Sequence, residues 1–504
     1  MTISRKIALL FAAENINAII GWIALLFVAR KMGATVLGEL SYALSLVGGF
    51  TFLAFFGFNM AHIKRVSEGQ DLGKCLGTFI TIRLFLISFM LILFTIFYWF
   101  WRDFLGKGLY DTTAELLFTV VIYYVIYLVV GIMTATFSGL KQSARVAIPN
   151  IIGTSIRSGM FIAVALMGWG VVWLARSYII GIFIIAILSF WYFKDYPISK
   201  PDKATFKSYN IYAFPVAAAS IFGIFRQYID KIIIGIFWTA SDVGLYFAVE
   251  RIALFIGSMA LAIEGMLLPA VSSLHSIHDH KKIKSLIYDA EKYVGMVCIP
   301  IVVMTMVWSS EIILVFISRE FLAASQILKL LAFLALVRVI NRPWSIALRG
   351  ADRPELTSLL SIFVSILSIV LMLFLVPEKI PQLGLNNLLG MGGEGAALAL
   401  LISEIIGGIS LRILCYIHLN MLPPLNSVFQ LIIAILVGLI MWQVQINMFV
   451  DRWYELVLFS SFGGILYLSL LATIGVFTNK DFRFFKDLFN PKEMKDYIGD
   501  ELKR

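Results

Sequence analysis

Arg226, Asp230 and Lys231 sit well inside one long apolar run of this chain, and Glu250, Arg251 and Glu264 sit inside the next. An ionisable side chain at bilayer depth costs at least about 3 kcal/mol, so it faces protein or a watery cavity and marks a pathway. Arg226 and Asp230 are four residues apart, which puts them on one helix face where they can pair. A pair that merely locks two helices together is the plainer reading of that spacing. Charges elsewhere shift the balance. Arg83, Arg157, Arg338 and Arg342 lie in other apolar runs, as do Arg176, Lys329 and Arg412. The acids of such runs are Glu14, Asp230, Glu250, Glu264 and Glu404, about half as many as the bases. Bases left over after pairing need an anion or water, so the chemistry on offer is the binding of a negatively charged ligand. A phosphate suits an arginine fork.

The elements that carry these charges follow from composition. Hydrophobic residues make up 60% of the chain and charged residues 14%, with a mean hydropathy of +0.91. Soluble domains carry about 25% charged residues, so this is an integral membrane protein, and without a period-2 barrel pattern its class is all-α. Windows of about 19 residues place about fourteen transmembrane helices. An even count puts both termini on one side. Of the 41 lysines and arginines, 24 fall in the N-terminus, alternate loops and the tail, against 7 in the intervening loops. Basic loops stay inside, so both termini are expected in the cytoplasm. The net charge of +10 therefore reads as membrane orientation, and no segment asks for nucleic acid. The first apolar stretch contains Glu14, Asn15 and Asn17 and ends in no small-residue cleavage site, so it is expected to remain as the first span.

The segment from Lys194 to Asn210 holds four lysines with Pro197 and Pro201 and reads as a cytoplasmic linker. The expected organisation is a six-helix bundle over 1–194, the linker over 195–210, a second six-helix bundle over 211–420, two additional helices over 421–478 and a cytoplasmic tail over 479–504. Each half opens alike: Gly38, Tyr42 and Ala43 echo Gly244, Tyr246 and Ala248, and Gly139 echoes Gly350. The offsets of 206 and 211 residues agree with a parallel six-span repeat. Between spans 8 and 9, Ile283, Leu286, Ile287 and Ala290 alternate with Lys281, Lys282 and Lys284, which predicts an amphipathic helix on anionic headgroups. His275, His278 and His280 fit no strong metal-ligand spacing. Cys75, Cys298 and Cys415 are too scattered for a disulfide framework or a metal site and read as packing residues. No phosphate loop, HExxH or GxSxG occurs, so neither an enzyme nor a cofactor is expected.

At these residues the chain resembles the polysaccharide flippases, the O-antigen and capsule branch of the multidrug/oligosaccharidyl-lipid/polysaccharide exporter superfamily. The strongest match is DKIIIGIFWTASDVGLY, Asp230 to Tyr246, followed by Ala248, Arg251 and Pro269. Ala323 to Glu355, Gly393 to Glu404 and Ala29 to Leu46 are similar to other spans and turns of the family. The resemblance implies two six-helix bundles around a central cavity plus two C-terminal helices. It also implies that a polyprenyl-pyrophosphate-linked oligosaccharide moves from the cytoplasmic to the outer face of the cell membrane by alternating access, with membrane lipids around the prenyl tail. Arg226 and Arg251 are the first candidates for phosphate contact, with Arg83, Arg157, Arg338 and Arg342 next. Asp230, Glu250, Glu264 and Glu14 are candidate counter-charges or sites for a coupling H⁺ or Na⁺. A drug or organic-cation antiporter of the same superfamily is the alternative, but it would want an acidic cavity. A glycosyltransferase, ligase or polymerase acting on such lipids would need positioned acid/base groups, commonly on a larger outer loop than any here. A substrate-free scaffold would carry its buried charges at a cost, with no ligand to meet them.

Overall fold

The computed structural model describes residues 3–101, 113–381, 384–448, 450–479 and 481–482. Lipid offers the backbone no hydrogen-bond partner, so each span must satisfy its own amides as helix. The described chain accordingly runs as α1 (Ile3–Phe55), α2 (Phe58–Ser67), α3 (Leu72–Phe100), α4 (Thr113–Gly139), α5 (Ser143–Met167), α6 (Val171–Phe193), α7 (Lys203–Phe237), α8 (Ala240–Ser276), α9 (His280–Val307), α10 (Ser309–Phe316), a 3-10 turn (Arg319–Ala324), α11 (Ser325–Gly350), α12 (Pro354–Leu375), α13 (Gly392–Leu419), α14 (Leu425–Asn447) and α15 (Trp453–Thr473). Among the described residues the only β pairing is one isolated bridge, Ile380 to Leu385.

Among the described residues, eleven helices are long and apolar enough to cross a membrane. The expected fourteen spans differ from these in two places. The first two expected spans are the two helical stretches of α1, counted together because they meet directly at Gly33, whose φ of 80° and ψ of 179° break the helix without a loop. That backbone is open to glycine and strained for other residues. The other difference is α7 and α8, of 35 and 37 residues, which carry Arg226, Asp230, Lys231, Glu250 and Arg251; the side chains of 215–216, 218–220 and 258–266 lie outside the described residues, and the eleven do not count these two helices. The second expected span also ends sooner than hydropathy suggests. Helix α1 stops at Phe55, and the ten-residue α2 follows with Lys64 and Arg65 in its last turn, where cations meet the negative end of the helix dipole.

The chain divides into two compact units, one of Lys6–Ala248 with Ser365–Ala396, the other of Met1–Arg5, Val249–Val364 and Ala397–Arg504. In the first, α4, α5 and α6 pack together, and α2 lies against α3, α4 and α7. Phe79, Tyr209 and Ala213 are fully buried where α2, α3 and α7 meet. The first half of the expected linker is non-helical and pinned to α3, since the Ser199 N–H donates to the Gly73 carbonyl at 3.0 Å and the Asp202 N–H to Thr78 Oγ1 at 3.2 Å. The Asp202 carboxylate then caps α7 by accepting from the Thr205 N–H at 3.0 Å. The glycines that echo each other in sequence meet in space. A Cβ on Gly38 would overlap the Ala240 carbonyl, and a Cβ on Gly244 would overlap the Ala34 carbonyl. Ala34 and Gly38, Ala240 and Gly244 form two small-x-x-x-small pairs that face each other reciprocally, the arrangement that lets helix backbones touch.

In the second unit α9 packs against α11, α14 and α15 around a core that includes Trp308, Val302 and Met441, all fully buried. The segment expected to float on headgroups is instead the start of α9. Its apolar face packs on protein: Ile283 and Ile287 are buried with Leu267, Val271, Trp344, Ala347 and Cys415. Hydropathy finds the same stripe for lipid and for protein, so periodicity alone did not separate them.

The far end of that unit is clamped by charge. Lys292 Nζ lies 2.7 Å from Asp481 Oδ2, which also accepts from the Thr478 N–H and hydroxyl, both at 2.7 Å. Burial alone would raise the Asp481 carboxyl, but the hydrogen bonds from Lys292 and Thr478 outweigh it and hold it below the usual carboxylate range. A group whose pKa falls on folding contributes stability above its unfolded pKa of about 4 and loses it as pH drops through the folded value. The detergent-solubilised protein is therefore expected to melt at higher temperature than its Asp481→Asn variant from neutral pH down to about pH 5, with the two curves converging in stronger acid. Thermal unfolding across that range measures it, and a gap that widens in acid contradicts the clamp.

Candidate functional site

The charges that open the sequence argument are partly spent on the scaffold. Asp230 and Lys231 on α7 are 3% and 4% exposed. Lys231 Nζ lies 2.9 Å from Asp230 Oδ1, and the Tyr246 hydroxyl on α8 donates to Asp230 Oδ2 at 2.9 Å. A buried pair with its remaining lone pairs satisfied tolerates burial, and here it hooks α7 to the start of α8. Beside it, Trp238 Nε1 donates to the Val376 carbonyl at 2.8 Å.

The six candidate arginines fall in different surroundings. Arg83 is 1% exposed. Its guanidinium donates to the Ala54 carbonyl at the end of α1 and to Asn59 of α2, and lies 5.2 Å from the ring centroids of both Phe55 and Phe79. Those contacts suit a brace that ties α3 to the α1–α2 break. Arg157 stacks on Tyr178, 5.0 Å from its centroid, where α5 meets α6. Arg338 pairs with Glu404 at 3.3 Å, linking α11 to α13. Arg226 on α7 and Arg342 on α11 are half-buried, as is Glu250 on α8, while Arg251 on α8 is exposed. Glu14 and Glu264 fall in α1 and α8, and their side chains lie outside the described residues.

Sequence reasoning missed one charge cluster. Glu291, 2% exposed on α9, accepts from Trp344 Nε1 at 3.0 Å and from Arg412 Nη2 at 3.1 Å. Arg412 on α13 also donates to Asn341 Oδ1 at 2.6 Å and lies 5.2 Å from the Trp344 ring centroid. The signal was present: Ile283, Ile287 and Glu291 recur at intervals of four, so the carboxylate continues the buried stripe. Sequence reasoning also missed a cavity of about 200 Å³ inside the first unit, lined by Thr51, Phe55, Tyr123, Tyr124, Tyr127, Ile224, Gln227 and Tyr228. Among the described residues, no group of three His, Cys, Asp or Glu side chains is placed to hold a metal ion. The His275 ring lies 6.4 Å from that of His278 and 6.0 Å from that of His280 by centroid.

The family model described as "Polysaccharide biosynthesis protein" matches residues 3–275, more than half of the chain. The chain belongs to that family. It is similar to the solved structure of "Lipid II flippase MurJ, inward closed conformation", with a TM-score of 0.73 at 18% identity over 96% of this chain and 100% of that one. It is also similar to the inward-facing conformation of a multidrug resistance MATE family transporter of the MOP superfamily, with a TM-score of 0.60 at 13% identity over 81% and 94% of the two chains. Among curated proteins, the "Probable low-salt glycan biosynthesis flippase Agl15" of Haloferax volcanii is 25% identical over 377 residues, 75% of this chain and 78% of its own length. This family member is thus an all-α, multi-pass membrane protein that shares the fold of those solved transporters.

Proposed function

We propose that this protein is a flippase for lipid-linked oligosaccharides. It carries polyprenyl-pyrophosphate-linked glycans from the cytoplasmic to the outer face of the membrane by alternating access, for cell-surface polysaccharide assembly. The observation that carries the reading is the family match over residues 3–275, on a chain whose fold follows a flippase over nearly its whole length. The pairing of the buried acids adds support. Asp230 is tied to Lys231, Glu404 to Arg338 and Glu291 to Arg412, so these carboxylates are already neutralised, as suits an anionic ligand better than an organic cation.

In this reading two six-helix bundles, flanked by two additional helices, rock around a cavity into which Arg226 and Arg251 present their guanidinium groups to the pyrophosphate, with Arg157, Arg338 and Arg342 contributing and Arg83 bracing the helix ends. The sugars occupy the watery cavity while the prenyl tail stays in lipid. Asp230, Glu250, Glu264 and Glu14 act as counter-charges or bind a coupling H⁺ or Na⁺, and both termini face the cytoplasm.

The test is reconstitution in liposomes with a fluorescent polyprenyl-pyrophosphate oligosaccharide and a quencher confined to the outer leaflet. Wild type is expected to exchange the lipid between leaflets. Arg226→Ala and Arg251→Ala are expected to lower the rate by about 10-fold or more each, the worth of a charge-assisted hydrogen bond of about 1.5–3 kcal/mol. If wild type moves no lipid-linked sugar but discharges a gradient of an organic cation, the antiporter reading replaces this one.

A further inference from the structure

The tyrosine-lined cavity of the first unit is not accounted for by the capture of a pyrophosphate. Its walls come from three helices: Thr51 and Phe55 from α1, Tyr123, Tyr124 and Tyr127 from α4, and Ile224, Gln227 and Tyr228 from α7. None of these side chains is charged at neutral pH, so the cavity lining itself holds no guanidinium or ammonium group to pair with a phosphate. Its volume of about 200 Å³ is also below the roughly 300–1,000 Å³ of sites for drug-sized ligands. That is room for one ring.

The polar groups divide by depth. Thr51 and Tyr124 are buried at the floor, where the Thr51 hydroxyl donates to the Gly48 carbonyl at 2.6 Å and the Tyr124 hydroxyl to the Leu44 carbonyl at 3.0 Å. Tyr127 and Gln227 are exposed at the mouth. The hydroxyls of Tyr123 and Tyr127 and the amide of Gln227 make no hydrogen bond among the described residues. The cavity thus presents aromatic faces together with uncommitted donors and acceptors, two from tyrosine and an amide that offers both kinds. A ring with C–H faces and hydroxyl edges matches that surface, because tyrosine pairs an apolar body with a polar tip.

A cage of tyrosines also suits an organic cation, but the charges behind these walls oppose one. The Arg83 guanidinium lies 5.2 Å from the Phe55 centroid, and Arg157 lies 5.0 Å from the centroid of Tyr178, whose ring is 5.1 Å from that of Tyr123. Two fixed positive charges already draw on the same aromatic system, so a third cation meets repulsion while a neutral ring does not.

We infer that this cavity is a sugar subsite, which holds one pyranose ring of the lipid-linked glycan against the walls formed by Tyr123, Tyr127 and Tyr228, with Gln227 bonding its hydroxyl or amide substituents. Gln227 follows Arg226 directly on α7, so a sugar held there lies one helical step from a candidate phosphate contact. The inference rests on the flippase reading above.

The test compares two probes in lipid nanodiscs holding the full chain: a short-chain polyprenyl pyrophosphate bearing one N-acetylhexosamine, and the same lipid without the sugar. Wild type is expected to bind the glycosylated probe about 10-fold more tightly, the scale of one or two hydrogen bonds with stacking. Gln227→Ala and Tyr127→Leu are each expected to cut that preference to below about 3-fold, with Tyr127→Phe intermediate. Gln227 and Tyr127 are exposed, so these variants are expected to fold. Equal binding of the two probes by wild type, or a preference that survives both variants, overturns the subsite and leaves the flippase reading standing. Binding of neither probe by wild type overturns both. Displacement of the bound glycosylated probe by tetraethylammonium but not by methyl N-acetylglucosaminide assigns the cavity to cations and also overturns the subsite.

Discussion

Gly38→Ala and Gly244→Ala are expected to remove most of the folded protein from the membrane. In each case the new methyl group overlaps a backbone carbonyl, of Ala240 or of Ala34, and a carbonyl inside a helix cannot turn aside as a side chain can. Overpacking into side chains costs about 1–3 kcal/mol, and a clash with fixed backbone on both sides of a reciprocal contact lies at or above the top of that range. Gly21→Ala on the same α1 helix is the control. A Cβ there meets nothing within 4 Å, and alanine is the better helix former by about 1 kcal/mol. The measurement is the yield of monodisperse protein after size exclusion, together with thermal unfolding of what survives. If Gly38→Ala and Gly21→Ala behave alike, the close approach of α1 and α8 is refuted.

The second large effect is expected at the charge cluster of α9 and α13. Glu291→Leu removes the partner of Arg412 Nη2 and of the Trp344 indole N–H and leaves a guanidinium facing protein. Breaking one side of a buried pair costs about 3–5 kcal/mol. Arg412→Leu alone is expected to cost a similar amount, since it strands the carboxylate. The double variant Glu291→Leu with Arg412→Leu is expected to recover much of the loss, because replacing both members with apolar groups is often near neutral. A double-mutant cycle on unfolding midpoints reads the coupling directly. Additive losses in the double variant would mean the pair is solvated and weak. Transport by the double variant is a separate outcome: if stability returns and flipping does not, Arg412 or Glu291 belongs to the transport path.

How much of this was legible in the sequence differs from residue to residue. Hydropathy announced the helical membrane class because lipid leaves the backbone no other choice. The break between the first two helical stretches is a single residue, Gly33, too short for hydropathy to mark. Asp230 and Lys231 were legible as charges in an apolar run, but their partner Tyr246 stands on another helix, beyond any local spacing. The echo between Gly38 and Gly244 was visible as an offset; that the two would touch was not, because a repeat in sequence does not say which copies face each other. Glu291 was hidden by its neighbours. It follows a lysine-rich turn, and only the four-residue rhythm from Ile283 reveals that it points inward. The tyrosine cavity had no signal at all, since aromatic residues at helical spacing on α4 look like ordinary core until Gln227 and Tyr228 arrive from α7.

The first compact unit draws its last residues, Ser365–Ala396, from far along the chain, and that has a consequence for biogenesis. Trp238 closes the end of α7 by donating to the Val376 carbonyl and by stacking beside Gly392, neither of which exists while the ribosome is still working through the second unit. From Ala248 to Ala396 at about 5–20 residues per second, the wait is roughly 7–30 seconds. Throughout that interval the α7–α8 turn lacks the cover that Val376 and Gly392 give to Trp238. A nascent chain held at residue 300 is then more exposed to proteolysis at that turn than one held past residue 400, and an insertase or chaperone that shields buried charge has its opportunity there.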